Sequence, residues 1–151
     1  MSYDRFTGLV EQLCEAIGLP DPTAVIERRV VEVEGFTVVL DYVETDPRAM
    51  YLQFDFGIAS SGRTLRIFRL MLESNLLIYA QDQAQLGLDP ESGAVLLIMR
   101  VPFSRDLDGQ WLAETMGHYA EHGRYWRNHL LEASDDEFNG LAHGNFAWIK
   151  A

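Results

Sequence analysis

Three side chains of this sequence stand at a spacing that suits a metal. Glu114, His118 and His122 follow one another at i+4, so on a helix they share one face, and imidazole and carboxylate are donors that zinc takes. The order is wrong for a helix-borne zinc hydrolase, because residues 118–122 read His-Tyr-Ala-Glu-His and not His-Glu-x-x-His. His129 falls almost two turns further on. A solvated helix face with ion pairs to arginines is the simpler reading, and no metal is expected. Asp41, Glu44, Asp46 and Asp55 offer carboxylates for acid–base work. They fall at strand ends and a turn, with no apolar pocket to raise one pKa above another. Cys14 is the sole cysteine, which excludes an intramolecular disulfide, and its apolar helical surroundings make it a small core residue. No phosphate-binding glycine loop, nucleophile elbow or Cys–His pair is legible. The expectation is no catalytic residue, no cofactor and no metal, hence a protein that acts by binding and not as an enzyme.

At 151 residues the chain is expected to form one domain. A chain of this length buries roughly 68–70% of the surface its unfolded form exposes, enough for a core without staples. The net charge of −11 repels phosphate backbones and anionic lipid surfaces, and Lys150 is the only lysine. Nucleic acid is therefore an unfavourable partner, and a basic or neutral protein segment a natural one; the charge also serves solubility alone. The N-terminus lacks a basic stretch followed by a long apolar one. The longest aliphatic run, Ala94 to Met99, is far short of the ~20 residues that span a bilayer. The expected location is a reducing cytoplasm, without membrane insertion.

The elements that must position any binding surface follow from periodicity. Residues 3–18 place Phe6, Leu9, Val10, Leu13, Cys14 and Ile17 on one helical stripe, ended by Gly18, Pro20 and Pro22. Residues 28–34 alternate as a strand, Glu34-Gly35 makes a tight turn, and strands follow at 36–44 and 50–57 around a turn at 45–48. Short connections imply an antiparallel meander. Ser60-Ser61-Gly62 caps a helix at about 63–78 whose apolar residues wrap most of the way round, so it must be covered on nearly all sides. Residues 84–88 and 94–103 form a hairpin around 89–93, and 106–133 a third helix. The order is αβββαββα, an α+β fold with helices packed on a mostly antiparallel twisted sheet. Residues 1–133 make the domain and 134–151 a C-terminal tail, whose Phe146, Trp148 and Ile149 are apolar enough to dock.

Four segments in this order carry a resemblance. "FTGLVEQLCEAIGLPDP" at the start, "LMLESNLL" (70–77), "LGLDPESGAVLLIMRVPF" (86–103) and "YWRNHL" (125–130) are together similar to the class I chaperones of bacterial type III secretion, the CesT/SycE-like Tir chaperone family. The resemblance covers residues 5–131; the tail departs from the short members. It implies a cytoplasmic homodimer that binds the N-terminal chaperone-binding region of one or a few secreted effectors in extended form. Such binding keeps the effector soluble and secretion-competent. The resemblance implies no cofactor and leaves room for a contact with the secretion ATPase. A regulatory binding module of the same fold outside secretion is the alternative.

Helix two and the second hairpin strand carry more apolar surface than one small sheet covers. Each large side chain left wet forgoes ~1.5–3 kcal/mol, and a two-fold interface is the commonest remedy. Ile67, Leu70, Met71, Leu77, Leu97 and Met99 are the candidates for it. Candidate effector contacts on the first helix and the meander are Leu9, Leu13, Val38, Val39, Leu40, Tyr42, Val43 and Tyr51. A mixed apolar and acidic surface there suits a client that is apolar at intervals and basic between. A strand edge can also add a client strand.

Overall fold

The computed structural model describes residues 2–59 and 62–132. Helix α1 (Ser2–Ile17) buries Phe6, Leu9, Val10, Leu13 and Cys14, the stripe read from the sequence. The prolines after it do more than stop a helix. They open a second, short one, α2 (Pro22–Arg28), which the sequence reading missed. Asp21 caps it by accepting the Ala24 N–H at 3.2 Å, and Pro22 sits where the missing N–H costs nothing. Arg29 ends it in the left-handed conformation, donating its N–H to the Val25 carbonyl at 2.7 Å. Residues 28 and 29 therefore belong to α2 and its cap, and the first strand begins two residues later than its alternation suggested.

The strands are β1 (Val30–Val33), β2 (Phe36–Asp41), β3 (Ala49–Ile58), β4 (Ala84–Leu88) and β5 (Ala94–Pro102). They form one sheet in the order β1-β2-β3-β5-β4, and all four pairings are antiparallel. Glu34 and Gly35 join β1 to β2 with φ of 51° and 86°. Two consecutive positive φ values twist the turn to match the flanking strands, and glycine meets that demand at no steric cost. β3 carries a bulge between Asp55 and Gly57, where the Asp55 carboxylate accepts the Gly57 N–H at 2.9 Å.

Helix α3 (Thr64–Asp82) precedes the β4–β5 hairpin, and α4 (Gly109–Tyr125) follows it, running on as a π-helical turn over Trp126–Leu131. Asp108 caps α4 by accepting the Trp111 N–H at 2.9 Å. α1 and α4 cover one sheet face, which carries Val38, Leu40, Leu52, Phe54 and Leu97, all buried. The two helices meet closely: a Cβ at Gly109 would stand 2.3 Å from the Gln12 backbone. The α+β class and antiparallel sheet stand as expected. Ser60, Ser61 and the tail 134–151, with Phe146, Trp148 and Ile149, lie outside the described residues.

Candidate functional site

Burial alternates along β2 and β3, so the sheet has one covered face and one open one. On the open face Val39 stands across from Gln53, and Gln53 across from Ile98. All three are half-buried. Asp41 opposes Tyr51, which opposes Arg100. This second row is held by an ionic clip rooted in the β2–β3 turn. Arg100 donates to both Asp46 carboxylate oxygens, at 2.7 and 2.9 Å, and the Tyr51 hydroxyl donates to the same carboxylate at 2.6 Å. These bonds hold the Asp46 carboxyl at about 2 and push the Tyr51 phenol and the Arg100 guanidinium up. Asp41 is held by Arg29 at 2.6 Å, and Asp55 by its bulge. Three of the four carboxylates that acid–base chemistry would draw on therefore act as structural acceptors. For Asp46 the arginine partner favours the charged form, the opposite of what a general acid needs.

The effector-contact candidates divide between core and surface. Leu9, Leu13, Val38 and Leu40 are fully buried between α1 and the sheet, so they shape the wall and offer no area to a client. Val39, Tyr42, Val43 and Tyr51 reach the surface. Tyr42 is part of an aromatic cluster with Tyr3 and Phe6, ring centroids 5.8 and 5.9 Å away. With exposed Tyr3 it forms an apolar shelf at the α1–β2 junction; their chain neighbours Asp4, Val43 and Glu44 are exposed as well. At the sheet's outer edge the backbone groups of Val30 and Glu32 point away from β2. The register makes Arg29, Val31 and Val33 the residues bonded to that neighbour.

The opposite edge is capped at its middle. Asn75 of α3 donates to the Leu86 carbonyl at 3.1 Å and accepts the Leu86 N–H at 2.6 Å, so one side chain occupies both outward-facing backbone groups of Leu86 in β4. α3 thereby turns one stripe inward and leaves another in water. Of the interface candidates, Ile67, Leu70 and Met71 are buried on its inner stripe, Leu97 and Met99 are buried in the sheet, and Leu77 is half-buried. Within one chain α3 packs on β4, and Leu97 lies on the sheet face that α1 and α4 cover. The uncovered set is Leu65, Phe68, Leu72 and Leu76, with Leu65, Leu72 and Leu76 exposed to 82, 71 and 79%. These repeat at three and four residues and so form a second helical stripe. Phe68, Met71, Leu72, Leu86 and Leu88 line a hollow of about 270 Å³ beside it. The sequence shows both stripes of α3; nothing local marks which one the sheet takes.

On α4 the His118 and His122 rings lie 4.6 Å apart, centroid to centroid. Glu114 accepts from the Gln110 amide at 3.2 Å. Among the described residues no group of three or more His, Cys, Asp or Glu is placed to hold a metal ion. Burial and the charge of Asp21 push the Cys14 thiol up, away from the thiolate that nucleophilic chemistry needs. Among the described residues no helix is long and apolar enough to cross a membrane.

The fold has relatives in shape. It superimposes on the structure of the ExsC–ExsE complex with a TM-score of 0.65 at 19% identity, covering 89% of this chain and 98% of that one. The HopA1–SchA chaperone–effector complex gives 0.63 at 17% identity over 83% and 93%. The heterodimeric ExoU–SpcU complex from the type III secretion system of Pseudomonas aeruginosa gives 0.50 at 16% over 79% and 91%. Among curated proteins, no sequence matches the chain. A family model does match over residues 8–127, α1 through the first π-helical residues, and the chain belongs to the Tir chaperone protein (CesT) family.

Proposed function

We propose that this protein is a type III secretion chaperone that holds the N-terminal chaperone-binding region of a secreted effector in extended form, soluble and competent for export. Family membership over residues 8–127 carries the reading, and the similarity in fold to a chain of the HopA1–SchA chaperone–effector complex supports it. So does the surface. The half-exposed row Val39, Gln53 and Ile98 is an extended mixed strip on the open face instead of a closed pocket, and the shelf at Tyr42 and the outward backbone groups of β1 are further places of contact. An extended client loses ordering entropy on binding and needs a long contact of that kind.

The working unit is a homodimer joined through the outward stripe of α3, Leu65, Phe68, Leu72 and Leu76. Burying such side chains contributes ~1.5–3 kcal/mol each. The protein acts in the bacterial cytoplasm, upstream of the secretion ATPase, by binding and not by catalysis. Residues 1–133 are the chaperone domain and 134–151 an appended tail.

The test pairs light scattering on the purified chain with capture of secreted proteins from the native bacterium. A dimer that retains one secreted protein, and loses it when that protein's N-terminal segment is deleted, is the expected result. A monomer that binds no secreted protein would overturn the reading.

A further inference from the structure

Two hollows flank Trp111, the aromatic residue that α4 exposes most, at 39%. One, of about 290 Å³, lies towards Glu114, Thr115 and His118, with Met99 and Tyr119 at its floor. The other, of about 320 Å³, lies towards Ser104 and Asp106, floored by Val101 and Leu107. The indole is a ridge between them. The β5–α4 loop and the first residue of α4 are pinned from α1. Arg5 donates to the carbonyls of Ser104 and Leu107 at 2.9 and 2.6 Å, fixing the β5–α4 loop. The Gln12 side chain accepts the Gly109 N–H at 3.1 Å, at the point where Gly109 lies against the Gln12 backbone. A surface held this way loses little freedom when something binds it.

The floor is apolar and the rim is acidic. Among the described residues the lining of the two hollows includes the carboxylates of Asp106 and Glu114 and no lysine or arginine, on a chain of net charge −11. We propose that this double hollow is a client subsite, resting on the chaperone reading above, and that it takes an extended segment with two apolar anchors flanked by arginine or lysine. The anchors fill the hollows either side of the indole, and the basic side chains meet Glu114 and Asp106. An arginine beside the indole face gains a cation–π contact as well. Charge complementarity selects this occupant over a second copy of the chain, which would bring its own acidic surface to an acidic rim.

The test uses two fluorescent extended peptides of about eight residues, alike in their leucine and isoleucine anchors. One carries arginine between and beside the anchors, the other glutamate. The basic probe is expected to bind at least tenfold tighter, and added salt to narrow the gap. Trp111→Ala should weaken it about tenfold, and the double variant Asp106→Lys, Glu114→Lys should reverse the preference. Ser104→Trp fills one hollow from its exposed rim without removing packing, so a loss there cannot be ascribed to unfolding. Equal binding of both probes, or undiminished binding to Trp111→Ala and Ser104→Trp, overturns the subsite. So does a dimer that becomes a monomer in these variants, which would give the hollows to a second copy. An effector that still co-purifies with Trp111→Ala would leave the chaperone reading standing while the subsite falls.

Discussion

α3 and α4 are long helices of one small domain, and they spend their apolar residues differently. α4 buries Leu112, Met116, Tyr119 and Ala120, and its π-helical continuation buries Trp126, Leu130 and Leu131. Its fit is so close that a Cβ at Gly123 would stand 2.9 Å from the Phe36 and Phe56 rings. α3 buries Ile67, Leu70, Met71 and Ile78 but holds Leu65, Leu72 and Leu76 in water. The inner face of α4 is covered within one chain; among the described residues nothing covers the outer stripe of α3. The same contrast separates two kinds of substitution: one on the inner face of α4 should act on folding, and one on the outer stripe of α3 on the proposed assembly.

The largest effects should come from the inner faces. Trp126 is fully buried, and Trp126→Ala should cost about 3–5 kcal/mol in a urea titration. Leu70→Asp leaves an unpaired charge on the buried stripe of α3 and should cost a similar amount, about 3–5 kcal/mol. A small loss in either would mean that these faces are loosely packed. Gly109→Ala comes next. Its methyl meets Gln12 backbone and not a side chain that can swing away, so α1 and α4 must separate, at about 1–3 kcal/mol of overpacking strain.

Leu72→Asp, on the outer stripe, should change the stability of the isolated chain by no more than about 0.5 kcal/mol. Sedimentation should nevertheless show it as a monomer. A variant that still sediments as a dimer removes the outer stripe from the interface. One that unfolds would mean that the stripe is covered by the chain itself.

The two helices also mark where sequence reading stops. The helix α1, the hairpin turn at Glu34-Gly35 and the antiparallel meander were legible because each is written locally, in a period or a turn residue. α2 was not, because Pro22 reads as a stop after α1 and as a start only once Asp21 is seen to cap the next turn. The division of α3 was hidden for a different reason. Its two stripes have similar composition, and the choice between them is made by β4, through Asn75 and the Leu86 backbone. Likewise Leu9, Leu13, Val38 and Leu40 looked like groove residues from their type alone. Only the stacking of α1 on the sheet makes them floor. The hollows beside Trp111 depend on Arg5 reaching across 99 and 102 residues of sequence to Ser104 and Leu107, which no local pattern records.

The smallest effect concerns the open sheet face, where the Asp46 clip ties the β2–β3 turn to β5. Its bonds from Arg100 and Tyr51 hold the Asp46 carboxyl at about 2, below its ordinary value of 3.8. A carboxyl depressed by folding contributes stability that is present above its unfolded pKa and lost as pH falls through its folded one. The contribution should be whole at neutral pH, begin to fade near pH 4 and be gone below about pH 2. Asp46→Asn keeps the shape but not the charge. It should lower the melting temperature slightly at neutral pH, because the clip is exposed to solvent, and flatten the acid limb between pH 4 and 2. Thermal melts of both proteins across that range test it. Parallel acid limbs would mean that the clip is incidental. Converging ones would show that the open face, unlike the outer stripe of α3, is held in shape by the chain itself before any client arrives.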